Sequence, residues 1–162
     1  MTTLKPMTEA GFARYLEAAI AGFAQDQIAA GRWTAEQALA LSREDFMGLL
    51  PQGLATPDQH LFEILDEPGG TTIGWLWFAV MRKSGVRIAY VYDLEVMPEH
   101  RRQGHARAAF KAMEPLVRAL GLASIGLHVF AHNPGAQAMY ASLGYEVTGI
   151  NMLKQLGVAD GR

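Results

Sequence analysis

The stretch Leu94-Glu95-Val96-Met97-Pro98-Glu99-His100-Arg101-Arg102-Gln103-Gly104-His105-Ala106-Arg107 decides the fold. Leu94 to Val96 ends a strand-like run, and Pro98 stops it. After Gly104 the apolar residues Ala109, Phe110, Met113, Leu116, Val117 and Leu120 recur with helical period. Gly121 closes that helix, and Ser124-Ile-Gly-Leu-His-Val-Phe130 reads as another strand. Strand, helix and strand in this order predict a right-handed crossover and a parallel pair. The start of a helix leaves backbone N–H groups without partners and carries the positive end of the helix dipole. Gly104 and Ala106 are small enough for a ligand to approach the main chain, and Arg101, Arg102 and Arg107 add positive charge. The junction suits a phosphate or pyrophosphate; a solvated basic helix start is the plainer alternative. It matches neither G-x-G-x-x-G nor G-x-x-x-x-G-K-[ST].

Upstream, Phe12, Tyr15, Leu16, Ala19, Ile20 and Phe23 predict an amphipathic helix over residues 8–30, ended by Gly31. Thr34-Ala-Glu-Gln37 has the form of a capping box and opens a second helix that runs towards Leu50. Pro51, Gly53 and Pro57 mark a loop. Residues 60–65 and 72–81 read as a hairpin around Pro68-Gly-Gly70, and Ser84-Gly85 turns into a third strand over 86–96. Downstream, Asn133-Pro134 starts a short helix with Ala136, Met139, Tyr140 and Leu143 on one face. Gly144 ends it, and residues 145–153 read as a last strand. With no repeat and no linker, the chain reads as a single mixed α/β (α+β) domain over 1–162. Its central sheet has antiparallel strands first, then a parallel crossover, with helices flanking it.

Composition removes several classes of function. Half of the 162 residues are hydrophobic and 19% are charged, which is a folded domain's mixture rather than a disordered tail's. A net charge of −2 argues against a general nucleic-acid binder. Cysteine is absent, so there is no disulfide frame, no thiolate nucleophile and no zinc–cysteine site. Trp75 to Met81 is the longest apolar run and is too short for a bilayer, and Met1 to Pro6 has no apolar signal core. A cytoplasmic protein without a membrane partner is expected. No G-x-S-x-G occurs, so a serine hydrolase is unsupported. His128 and His132 stand four apart on strand and loop with no cysteine nearby, and no metal is expected there. Trp75, Trp77 and Phe78 read as core, with the wall of a binding site as the alternative. Residues 1–70 hold four basic and ten acidic side chains (−6), whereas residues 71–162 hold ten basic and six acidic (+4). That split suggests two ligands of opposite sign.

Two blocks then carry a resemblance. Leu94-x-Val96 followed by Arg101-Arg-Gln-Gly104-His-Ala106 resembles the acyl-CoA signature of the GNAT superfamily of N-acetyltransferases. Asn133-x-x-Ala136-x-x-x-Tyr140-x-x-x-Gly144-Tyr145 resembles that family's second block, in the right order and at the right separation. The likeness covers residues 72–154, and the first 70 residues share only a two-helix pattern.

The resemblance implies acetyl-CoA as co-substrate, with main-chain N–H groups from Arg102 through Gln103, Gly104, His105 and Ala106 to Arg107 holding the pyrophosphate and Arg101 opening the motif. The main chain of Leu94 to Val96 would pair with pantetheine as an added strand. The Val96 N–H would polarise the thioester carbonyl. Asn133 would contact the pantetheine arm, a role compatible with capping its own helix. Tyr140 would protonate the leaving thiolate; the alternative is a core tyrosine. The acceptor expected is a small-molecule or peptide amine. Its ammonium must lose a proton before attack, and Glu95, His128 and Asp93 are the candidate bases, in that order. Asp93 and Glu95 lie two apart and so share a strand face, opposite Leu94 and Val96, unless a β-bulge intervenes. Dimers are common in the family, so a homodimer is suggested. A non-catalytic acyl-CoA sensor, or transfer of a longer acyl group, fits the same motifs.

Overall fold

The computed structural model describes residues 1–131 and 133–157. These fall into two compact units, residues 1–128 and residues from 129 onward. In the first unit one sheet runs in the order β1 (Thr2–Pro6), β2 (Gln59–Asp66), β3 (Thr71–Lys83), β4 (Val86–Val96), β5 (Ile125–Leu127). Neighbours pair antiparallel from β1 to β4, and β5 pairs parallel to β4. The expected mixed α/β architecture and its parallel crossover are therefore present. The edge strand β1 was not anticipated, because five residues ending at Pro6 are too few to show a period.

Side-chain caps set the helix starts, one at the predicted Thr34–Gln37 box and one at Thr8, not singled out from the sequence. Thr8 Oγ1 accepts the Gly11 N–H at 3.0 Å and opens α1 (Glu9–Ala29). Gly31, at φ +73°, follows its end. The Thr34 N–H donates to Gln37 Oε1 at 3.3 Å at the start of α2 (Ala35–Leu49). The buried Ser42 hydroxyl donates to the Ile20 carbonyl at 2.7 Å and ties α2 to α1. On that side of the sheet Met7, Phe12, Tyr15, Ala19, Leu50, Leu61 and Trp77 form one core. On the other side Ile64, Ile73 and Val96 pack with Ala109 of α3 (His105–Ala119), joined by Leu4, Leu94 and Ala106.

Two bulges aim the strands. Ile64 pairs with Gly74 and Leu65 with Thr72, so Ile73 is the extra residue of the first. Trp77 pairs with Asp93 and Phe78 with Val91, so Tyr92 is the extra residue of the second. Pairing of β4 with β5 covers only Ala89 to Val91 and ends at that second bulge. Gly74 lets the strands come this close: a methyl there would run into the Glu95 carbonyl oxygen and approach Val96 Cα to 3.0 Å. Gly74→Ala is expected to cost on the order of 1–3 kcal/mol, a Tm lower by roughly 2–12 °C, read by calorimetry.

The second unit holds α4 (Pro134–Ser142), capped by Asn133 Oδ1 on the Ala136 N–H at 3.2 Å. Two expectations are corrected. The strand foreseen over 124–130 forms only at Ile125–Leu127. Residues 145–153 form no strand. Apolar and β-branched residues set a preference for extended chain, but a strand also needs a hydrogen-bonding edge, and Gly149 inside the second run weakens it further. No helix among the described residues is long and apolar enough to cross a membrane.

Candidate active site

The bulge at Tyr92 decides which way the two carboxylates look. Tyr92 stacks on Trp77 with ring centroids 4.7 Å apart, and Asp93 opposes the same tryptophan. Leu94 and Val96 turn to the α3 side. Asp93 therefore faces α1, where the Tyr15 hydroxyl donates to its Oδ2 at 2.8 Å. The two-residue spacing places Glu95 on that face as well, but its environment differs. Glu95 is exposed, and Arg101 Nη2 donates to its Oε1 at 3.3 Å. Burial pushes the Asp93 carboxyl up to about 6, with the charges of Glu95 and Asp26 adding and the Tyr15 hydroxyl opposing. Tyr15, fully buried beside that carboxylate, is itself raised well above the ordinary phenol range. A carboxylate ionised just below neutral pH is suited to general base work. His128 lies one residue past the end of β5 and is exposed. It is thus not the strand neighbour of β4 that the sequence suggested.

Beyond Val91, where its pairing with β5 ends, β4 leads into the anion turn. The Met97 N–H donates to the Ile73 carbonyl at 2.8 Å, towards β3. Alternation along an extended strand then turns the Val96 N–H to the opposite edge, where β5 no longer pairs. Beyond it, Pro98–His100 forms a single 3-10 turn. Arg102 at φ +62° and Gly104 at φ +83° curl the chain back into α3. Among the described residues the N–H groups of Arg102, Gln103, Gly104, His105 and Ala106 have no backbone partner. Left-handed residues alternating with such amides make a concavity for an oxyanion, here at a helix start.

Side chains of the motif have structural work as well. Arg101 Nε donates to the Val96 carbonyl at 2.8 Å, so this guanidinium ties the turn to the strand end. His105 Nδ1 lies 2.9 Å from Thr2 Oγ1 and links α3 to β1. In the second unit Tyr140 is partly buried on α4 with its ring 5.7 Å from that of Tyr145. Burial raises its hydroxyl above the ordinary phenol range, so it keeps its proton at neutral pH. His132 lies outside the described residues.

The sequence reading missed two side chains on the α1 face. Tyr15 reads in the sequence as helix core, although it is the one hydroxyl in that apolar stripe. Glu63 is buried in β2, accepts from Thr72 Oγ1 at 3.2 Å and lies 3.7 Å from Arg14. Its lone charge within His60-Leu-Phe-Glu-Ile-Leu65 was the available signal. Of the tryptophans, Trp77 is core, its Nε1 donating to Gln59 Oε1 at 2.7 Å. Trp75 is half-buried and meets Tyr15 edge-on at 5.8 Å.

The parallel pairing of β4 with β5 thus ends at Val91, and β4 runs on into an amide-rich turn. The sequence model of the acetyltransferase (GNAT) family matches residues 26–145. The chain belongs to the GNAT acetyltransferase family. This acetyltransferase is 35% identical over 154 residues to the Bacillus subtilis (strain 168) protein named "Uncharacterized N-acetyltransferase YycN", covering 94% of this chain and 97% of that one. It is 31% identical to YdgE of the same strain, also named an N-acetyltransferase, covering 95% and 98%. The YycN crystal structure superposes with a TM-score of 0.86 at 33% identity, covering 96% of this acetyltransferase and 99% of that chain. AAC(6')-Iy in complex with a bisubstrate analogue of CoA and acetylneamine shares the fold, with a TM-score of 0.62 at 15% identity and coverage of 96% and 97%.

Proposed function

We propose that this acetyltransferase, acting as one catalytic domain over 1–162, moves an acetyl group from acetyl-CoA directly to a primary amine. The observation that carries this reading is that, among the described residues, β4 pairs with β5 no further than Val91 and runs on to a turn where the N–H groups of residues 102–106 have no backbone partner. Pantetheine would extend along that edge, and the diphosphate would sit on the turn. The Val96 N–H would take the thioester oxygen and hold the oxyanion as the amine attacks. Asp93 would receive the ammonium's proton, and Tyr140 would return one to the thiolate. Asp93 is preferred over Glu95 because Glu95 is exposed and already held by a guanidinium. The acidic carboxylates on the α1 face, Asp93, Glu95 and Glu63, favour a cationic acceptor. A protein of the same fold that binds a bisubstrate analogue of CoA and acetylneamine supports a CoA donor and an amine acceptor.

The test is a panel of amines (alkylamines, polyamines, amino acids, aminoglycosides, N-terminal and lysyl peptides) incubated with acetyl-CoA while free thiol is read. Thiol release that depends on one amine class, rising with its concentration, is expected. Release independent of every amine, or none at all, would overturn the reading. Preference for anionic acceptors would overturn the charge argument alone.

A further inference from the structure

We infer that Tyr15 is a positioning residue for acetyl transfer: its hydroxyl fixes Asp93 through Oδ2 and leaves Oδ1 as the atom that takes the acceptor's proton. The inference rests on the acetyl-transfer reading above and deepens it. Tyr15 sits in the second turn of α1 with no exposed surface, in one core cluster with Phe12, Ala19, Leu61 and Trp77, and its ring meets that of Trp75 in a T-shaped pair at 5.8 Å. A ring held on all sides places its hydroxyl at one point, and that point is 2.8 Å from Asp93 Oδ2. The second bulge is what brings Asp93 there, since it sets Asp93 opposite Trp77 on the α1 face.

Asp93 accepts no other hydrogen bond among the described residues. No buried side-chain oxygen or nitrogen there lacks a hydrogen-bond partner. Asp93 is partly buried, and its second oxygen is the one that Tyr15 leaves uncommitted for an acceptor. The step balances simply. The acceptor's ammonium N–H bond breaks and its proton goes to Asp93 Oδ1; the freed lone pair attacks the thioester carbon, the C–N bond forms as the C–S bond breaks, the CoA thiolate takes up a proton, and the amide nitrogen releases its second. Tyr15 remains a donor throughout, because burial and the adjacent carboxylate both oppose its ionisation. The other groups bearing on Asp93 are Asp26 of α1 and Glu95 of β4, both acidic, and Glu95 is partly offset by Arg101. The facing residue of β3 is the neutral Trp77, and β5 ends its pairing with β4 at Val91. The Tyr15 hydroxyl is thus the direct donor that favours the ionised base.

Tyr15→Phe keeps the ring and removes only the donor. The experiment is the pH profile of kcat/KM for wild type and Tyr15→Phe, with acetyl-CoA and the best amine of the panel. A parallel carbon-13 titration follows the Asp93 carboxyl, identified by its loss in Asp93→Asn. A charge-assisted hydrogen bond is worth about tenfold in such an ionisation, so the acid limb should move up by roughly one pH unit. Activity below the limb should fall by about tenfold, the loss shrinking at higher pH, with KM for acetyl-CoA unchanged. The carbon titration should move in the same direction. Wild-type turnover with an unmoved limb, or a uniform loss at every pH, would overturn the inference alone. No amine-dependent thiol release by the wild type would overturn the acetyl-transfer reading and this inference together.

Discussion

Asp93→Asn is expected to lower kcat/KM for amine acetylation by about 10²–10⁴-fold, the range for removing a general base. The chain should remain as stable as the wild type at pH 7, or become more so. Both halves come from the same environment. The Asp93 carboxyl is raised from 3.8 to about 6 because burial disfavours its charge. A carboxyl raised in the fold destabilises it as pH climbs from the ordinary carboxylate range through about 6, and the full cost remains above that. Asparagine has no charge to bury, and its oxygen can still accept from the Tyr15 hydroxyl. Thiol-release kinetics and thermal melts at pH 5 and pH 7 separate the outcomes. The wild type should melt lower at pH 7 relative to Asp93→Asn than it does at pH 5. A variant with near-normal turnover would return the base role to Glu95 or His128.

Tyr140→Phe is expected to bind coenzyme as the wild type does and to lose about 10²–10⁴-fold in kcat. The leaving thiolate of CoA needs a proton, and a phenol that burial keeps protonated is a suitable source. Phenylalanine retains the ring on α4 and its contact with Tyr145. Calorimetric titration with CoA and steady-state rates of acetyl transfer measure the two quantities separately. Unchanged kcat would assign the thiolate's proton to solvent. Lost coenzyme affinity would make Tyr140 a binding residue instead.

The crossover was legible because Gly104 and Gly121 bracket a helix of clear period, and a helix between two strands has one favoured hand. The shared face of Asp93 and Glu95 was legible from a two-residue spacing alone. Their different fates were not, because an exposed Glu95 held by Arg101 and a partly buried Asp93 held by Tyr15 depend on contacts six and 78 positions away. The bulge at Tyr92 could be named as a risk but not placed, since it depends on the register with β3. In the same way, Arg101 reads in the sequence as charge for an anion, while its side chain engages the Val96 carbonyl and Glu95. Residues 145–153 show the opposite error: apolar side chains recur along them, but such a run does not supply a pairing edge.

The most direct measurement is a crystal structure of the protein with acetyl-CoA. The diphosphate oxygens should lie within hydrogen-bond distance of the N–H groups of residues 102–106, with the thioester oxygen on the Val96 N–H. A diphosphate seated elsewhere, with those amides still facing solvent, would contradict the proposed site for the chemistry.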